Sequence, residues 1–239
     1  MRLEIDAGNT FIKWRWVGDG YQSATLRLLK EKFFDEWIQL ESQNYPETLR
    51  EIWIGSVAGD QFNDALAERI LRSFGVTPKF AKTTQVASGV TNSYSDPERM
   101  GVDRWLAMLA ARCQDEAPAI IVDCGSAITV DYLDSVGRHE GGYILPGLQM
   151  MRATLLRNTA YVRYDETDQE QLKPGKSTGA CVNNGTRFLL SALGHELAGQ
   201  AGYQIYITGG DGDLLHKDIP GSLLIPDLVL DGLLWAEKQ

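Results

Sequence analysis

The chain has 239 residues, 44% of them hydrophobic and 23% charged, the proportions of a soluble globular protein, which exclude a disordered or fibrous chain. Its 23 Lys and Arg face 32 Asp and Glu, a formal charge of −9, so there is no general attraction for nucleic acid or an anionic membrane. Cys113, Cys124 and Cys181 form no CxxC pair, Met1 leads into no signal-peptide core, and no apolar stretch approaches the roughly 20 residues that span a bilayer, which together predict a reduced, cytoplasmic protein.

In chain order, an apolar strand over 3–6 ends in Asp6-Ala7-Gly8-Asn9-Thr10, and a second strand over 11–17 carries Ile12, Trp14 and Trp16 on one face. A third strand is expected over 24–29, then a helix near 33–40 and a strand over 51–57. Asp60 is the expected N-cap of a helix whose Phe62, Leu66, Ile70 and Leu71 have helical spacing and which Gly75 ends. A short strand at 78–82 and a loop over 88–96 follow, and Pro97 is expected to open the helix that carries Trp105, Met108 and Leu109. The polar, proline-terminated stretch 114–118 predicts a domain boundary, giving domains 1–115 and 116–239.

The second half repeats this order. Ile120-Ile121-Val122-Asp123-Cys124-Gly125-Ser126-Ala127 echoes residues 3–10, and a second strand follows over 128–133. A third strand near 142–145 ends at Pro146-Gly147. A helix over 148–158, a polar excursion over 164–176 and a long helix with Phe188, Leu189, Ala192, Leu193 and Leu197 come next. The strand 203–207 then opens onto Thr208-Gly209-Gly210-Asp211-Gly212. Two similar α/β lobes facing a cleft are the expected architecture.

The turns suggest phosphate chemistry. Gly8 lets the backbone approach a ligand, and the turn N–H groups with the Thr10 hydroxyl can face phosphate oxygens. Asp6 can hold a hydrated Mg²⁺ that bridges phosphates, and Lys13 can add positive charge. Asp103, near a helix start, is either a first-turn acid or the carboxylate that phosphoryl transfer to an alcohol requires. Arg104 offers fixed donors to an anionic substrate or to the transferring group; otherwise it is a surface ion pair. His139, His195 and His216 lack ligand spacing and read as structural or surface residues.

Taken in order, these turns resemble the phosphate and adenosine elements of the acetate kinase, sugar kinase, Hsp70 and actin superfamily. Within it, the chain is similar over nearly its whole length to the type III pantothenate kinases. The segments are Asp6-Ala7-Gly8-Asn9-Thr10 with Lys13, Arg99-Met100-Gly101-Val102-Asp103-Arg104, Asp123-Cys124-Gly125-Ser126-Ala127-Ile128-Thr129, Gly141-Gly142-Tyr143-Ile144-Leu145-Pro146-Gly147, and Thr208-Gly209-Gly210-Asp211. Ser126 stands where the family usually has Thr, and the segment around Thr178 is less regular than the pattern.

The resemblance implies two ribonuclease H-like (actin-like ATPase) lobes flanking a nucleotide cleft, and ATP-dependent phosphorylation of pantothenate to 4′-phosphopantothenate, the first step of coenzyme A biosynthesis. It implies Asp103 as proton acceptor, with Tyr94, Gly101, Val102, Asp103, Arg104 and Thr178 binding pantothenate. Asp6, Ala7, Gly8, Asn9, Thr10, Phe11, Ile12, Lys13 and Ser126 would bind ATP with its Mg²⁺. Asp123 would hold a monovalent cation, potassium or ammonium. It also implies a homodimer formed through the second lobe, in which a partner helps enclose the pantothenate pocket, Thr178 serving either its own pocket or the neighbouring protomer's. The alternatives are a non-catalytic accessory protein on the same scaffold and a related phosphohydrolase.

Overall fold

Described in the computed structural model are residues 1–36, 49–159, 162 and 171–236, and they fall into two α/β units. The first comprises Met1–Glu116, Val136–His139 and Asp227–Gln239, and the second Ala117–Ser135 and Glu140–Pro226.

In the first unit, β1 (Arg2–Ala7) and β2 (Phe11–Gly18) form an antiparallel hairpin. With β3 (Tyr21–Gln22), β4 (Leu26–Leu29), β5 (Glu51–Ser56) and β6 (Lys79–Phe80) they make a sheet ordered β3-β2-β1-β5-β6, in which β4 also pairs with β2. β1 and β5 run parallel. Because side chains alternate across a strand, Leu3, Ile5 and Ala7 share a face, where they pack with Ile12, Trp14, Phe33, Ile52, Ile54 and two residues of α1 (Asp60–Phe74), Leu66 and Ile70.

The opposite face of β1 is polar yet buried. Glu4, 1% exposed, is the cross-strand partner of Arg15, which donates to it at 2.7 Å, and Arg2 adds a contact at 2.5 Å. Arg15 also reaches Asp231 at 2.6 Å, on α6 (Leu228–Ala236). That face is covered by α6 and by α2 (Val102–Gln114), which is buried from Arg104 to Ala111. Gly55 leaves room for the Leu106 side chain, and Gly232 is so near the Leu106 backbone that an added Cβ would overlap it.

The second unit repeats the topology. After the small antiparallel ribbon of β7 (Val86–Ala87) and β8 (Val90–Thr91), β9 (Ala119–Cys124) and β10 (Ala127–Leu133) form the hairpin, and with β11 (His139–Pro146), β12 (Gln204–Thr208) and β13 (Leu223–Leu224) the order is β11-β10-β9-β12-β13. The helices are α3 (Leu148–Asn158), α4 (Thr178–Ala198) and α5 (Gly212–His216). Ile120, Val122, Ile128, Val130, Leu190, Leu197, Ile205 and Ile207 build its core.

Three expectations are corrected. Asp60 is the first helical residue and Gly59, at φ 96°, precedes it as N-cap; the acid then meets the helix dipole from the first turn. Pro97 opens only a 3-10 turn, Pro97–Arg99, because Met100 is extended (φ −83°, ψ 131°), and α2 starts at Val102 after Gly101. The chain is not divided at a single point, since Val136–His139 and α6 belong with the first unit. Part of the expected helix at 33–40 and most of the excursion at 164–176 lie outside the described residues.

In the second unit Arg187 of α4 grips Asp218 with two bonds, at 2.7 and 3.0 Å, both side chains being about one-tenth exposed. The Arg187 bond holds the Asp218 carboxyl below its ordinary range, and burial opposes it. Asp218 therefore adds its full stability above the unfolded-state pKa of about 4 and loses it as pH falls through its lower folded value. Arg187→Leu is expected to destabilise the protein by about 3 kcal/mol at neutral pH, because it leaves a buried carboxylate unpaired. Urea unfolding at about pH 7 and about pH 3 checks this, with the loss shrinking at the lower pH.

Candidate active site

Both units present a glycine turn at the carboxyl ends of parallel strands, where open α/β sheets hold ligands. In the first, Ala7 pairs with Ile12, so Gly8, Asn9, Thr10 and Phe11 form the loop. The Gly8 N–H donates to the Phe11 carbonyl at 3.0 Å, and the Lys30 N–H braces the Thr10 carbonyl at 2.9 Å. Asn9 and Thr10 are exposed. Asp6 is the cross-strand partner of Lys13, and Lys13 of Arg27 on β4, which gives a row of three charged side chains on the face that also carries Glu4 and Arg15. Arg27 was not among the expected residues; its guanidinium lies 3.4 Å over the Phe11 ring. The only signal for it is the β2–β4 register, which local sequence does not show.

The start of α2 lies at the same end and on the same face. Gly55, the neighbour of Asp6 on β5, is where Leu106 packs, and Gly101 approaches Val57, whose N–H donates to the Ala7 carbonyl at 3.0 Å. A Cβ on Gly101 would stand 2.5 Å from Asp103 Oδ1, so glycine there keeps space for the carboxylate. Asp103 Oδ1 accepts the Arg104 N–H at 2.8 Å. Arg104, 6% exposed, donates from Nη1 to the Tyr94 hydroxyl at 3.0 Å. The Tyr94 N–H is held by Asn92 Oδ1 at 2.9 Å, and Asn92 is itself buried. Thus Tyr94, Gly101, Val102, Asp103 and Arg104 come together next to the turn that contains Asp6, Ala7, Gly8, Asn9, Thr10, Phe11, Ile12 and Lys13.

The second-unit turn is one residue shorter. Cys124 pairs with Ile128, leaving Gly125, Ser126 and Ala127, so Ser126 alone takes the place of Asn9 and Thr10 between the equivalent Gly8–Phe11 and Gly125–Ala127 bonds. Gly147, which leads into α3, donates to the Ser126 carbonyl at 3.1 Å. The Gly-Gly turn after β12 lies against Asp123 and Cys124: the Asp211 N–H donates to the Cys124 carbonyl at 3.0 Å, and Gly209, at φ 90°, has no space for a Cβ beside Asp123 Oδ1. Burial, with Asp123 and Asp211 nearby, pushes the Cys124 thiol well up and keeps it protonated. Thr178 opens α4, whose N-cap Ser177 accepts the Ala180 N–H, and it lines a groove of about 1050 Å³ with Met151, Leu155, Val182 and Leu189. Asp123, Ser126 and Gly209 are therefore one cluster of the second unit, and Thr178 lies in that unit's groove.

The donor sets suit hard cations. Asp6 is a single carboxylate of the kind that holds Mg²⁺ jointly with phosphates, and Asp123 with neighbouring carbonyls offers oxygen ligands to a monovalent ion. Among the described residues no group of three or more His, Cys, Asp or Glu forms a metal cluster.

Among solved structures, the fold is shared with a conserved Campylobacter jejuni protein assigned to the Baf transcriptional activator family. It is 21% identical, with TM-score 0.59, 96% of this chain and 94% of that one being covered. An ethanolamine utilization protein from Carboxydothermus hydrogenoformans is 14% identical with TM-score 0.53 over 99% and 89%. At these identities the likeness concerns the fold alone. Sequence relatives go further. Type III pantothenate kinase from Marinobacter nauticus is 39% identical over 98% of this chain and 96% of its own, and that from Alcanivorax borkumensis is 37% identical over 98% and 97%. With the family's own sequence profile matching residues 2–198, the chain belongs to the type III pantothenate kinase family.

Proposed function

We propose that the protein transfers the γ-phosphoryl group of ATP to the terminal hydroxyl of pantothenate, giving 4′-phosphopantothenate in the first step of coenzyme A biosynthesis. The observation that carries this reading is the start of α2. There a carboxylate and a buried guanidinium stand on adjacent residues, next to a glycine turn on the same face of one sheet.

In this reading the pantothenate hydroxyl oxygen attacks the γ-phosphorus, the bond to the β-phosphate oxygen breaks, and ADP departs. The hydroxyl proton passes to Asp103. Arg104 and Tyr94 orient the anionic acceptor, Gly101 and Val102 shape its pocket, and Thr178 contributes a hydroxyl to it. The backbone from Ala7 to Ile12 and the hydroxyl of Ser126 meet the nucleotide. Lys13 adds positive charge beside Asp6. Asp6 would hold Mg²⁺, which neutralises charge on the phosphates when bound. Asp123 would hold potassium or ammonium, which assists nucleotide binding. The three free cysteines fit a cytoplasmic, reducing location.

Release of ADP, measured with and without pantothenate and potassium, tests the reading. Turnover is expected only with pantothenate, and it should fall in carefully potassium- and ammonium-depleted buffer. Asp103→Asn is expected to lower kcat by about 10²–10⁴ with little change in KM for ATP. Near-normal turnover of this variant would assign Asp103 to capping the start of α2 instead.

The second unit is also read as the dimer face. Tyr143, Ile144 and Leu145 are exposed on β11, an edge strand, Leu155 and Leu156 on α3, and Phe188 and Leu189 on α4. An isologous pair would cover the same apolar residues on both copies. Light scattering is expected to give twice the 26.5 kDa of the chain; a fully active monomer overturns the shared pocket.

A further inference from the structure

The segment Val136–His139 follows β10 in the chain but belongs to the first unit. It docks on the loop that carries Tyr94. The Thr91 N–H donates to the Gly137 carbonyl at 2.9 Å, and Thr91 pairs with Arg138 in an isolated bridge. Gly137, at φ 80°, lies so near the Gly89 carbonyl that no side chain fits there. Two residues on, His139 is only 3% exposed. Its Nδ1 is 2.8 Å from Ser93 Oγ, and its ring lies 6.2 Å from that of Tyr94, tilted by 31°. Tyr94 is therefore held at its backbone by Asn92, at its ring by His139 and at its hydroxyl by Arg104.

We propose that His139 is a positioning residue for the acceptor-substrate side of the site. It fixes the ring of Tyr94 and, through the Tyr94 hydroxyl, the direction of the Arg104 fork. The proposal rests on the pantothenate kinase reading and adds a residue to it. An arginine fork selects a planar anion only while its N–H directions are fixed, and a displacement on the order of 1 Å costs a large part of that advantage. The Ser93 hydroxyl can donate or accept, so the His139–Ser93 bond forms with either imidazole tautomer. The Tyr94 ring lies beside the imidazole, so the position of one limits the tilt of the other. A bulky aliphatic side chain at 139 would fill the space without the Ser93 bond.

Steady-state kinetics on the full chain test this, with KM for pantothenate, KM for ATP, kcat and the melting temperature read together. His139→Leu is expected to raise KM for pantothenate about tenfold while KM for ATP stays within about twofold. His139→Asn, whose amide reaches the position of Nδ1 and keeps the Ser93 bond, recovers most of that loss. The double variant His139→Leu with Tyr94→Phe falls no lower than Tyr94→Phe alone, because both act through the Tyr94 hydroxyl. A folded His139→Leu with unchanged KM for pantothenate, or losses that simply add in the double variant, overturns the proposal. Should His139→Leu not fold, Ser93→Ala at an exposed position carries the same reading, with an unchanged KM for pantothenate counting against it. Failure of the unsubstituted protein to phosphorylate pantothenate would instead strike the parent reading and the proposal together.

Discussion

Helix α2 is buried along nearly its whole length, yet Asp103 in its first turn stays partly exposed. Two glycines on either side make that possible: Gly55 on the sheet admits the Leu106 side chain, and Gly232 on α6 admits the Leu106 backbone. Trp105, Leu106, Met108 and Leu109 are all fully buried in this seat. At about 2 kcal/mol each, their burial is comparable to the whole net stability of a domain. The seat is anchored from below by charge. Glu4 and Arg15 face each other across the hairpin, and Arg15 extends the link to Asp231 of α6. The orientation of Asp103 and Arg104 thus depends on a helix packed against a polar but neutralised face of the sheet.

The two sheets share a strand order, yet their first hairpin turns have diverged. Asp6 has a lysine as its cross-strand neighbour and Asp123 has Thr129. The first loop carries one residue more, and the second is pressed by Gly147 on one side and by the Gly-Gly turn on the other. One scaffold used twice therefore presents two turns with exposed tips, at Asn9 and Thr10 in one and at Ser126 in the other, the second braced by two neighbouring segments of its own unit.

Local chemistry made much of this readable. The alternation of Ile12, Trp14 and Trp16 marked a buried strand face, and the expected span of α3, 148–158, is its observed span. The two Asp-x-Gly turns do fall at the carboxyl ends of parallel strands, and Gly101 to Arg104 do open a helix. What local sequence does not carry is pairing at a distance. Arg27 joins Lys13 only through the register of β4 on β2. His139 reads as a structural histidine because nothing near it in sequence shows that the chain crosses over to Ser93 and Tyr94. The same holds for α6, whose apolar run is compatible with either unit until Gly232 is set against Leu106. Pro97 is a different case: proline suits a helix start and a 3-10 turn alike, and the extended Met100 decides between them.

The crossing of α6 has a consequence for how the chain is made. Translation advances at about 5–20 residues per second. The first unit's sequence is contiguous through Glu116, but the helix that covers α2 ends at Ala236, another 120 residues later (236 − 116). For roughly 6–24 s the nascent first unit therefore holds Trp105, Leu106, Met108 and Leu109 without their final cover. The second unit, whose strands and helices all lie between Ala117 and Pro226, can complete its own core first. The half of the molecule that begins at the amino terminus thus receives its last helix only at the end of synthesis, after the second unit's sequence is already made.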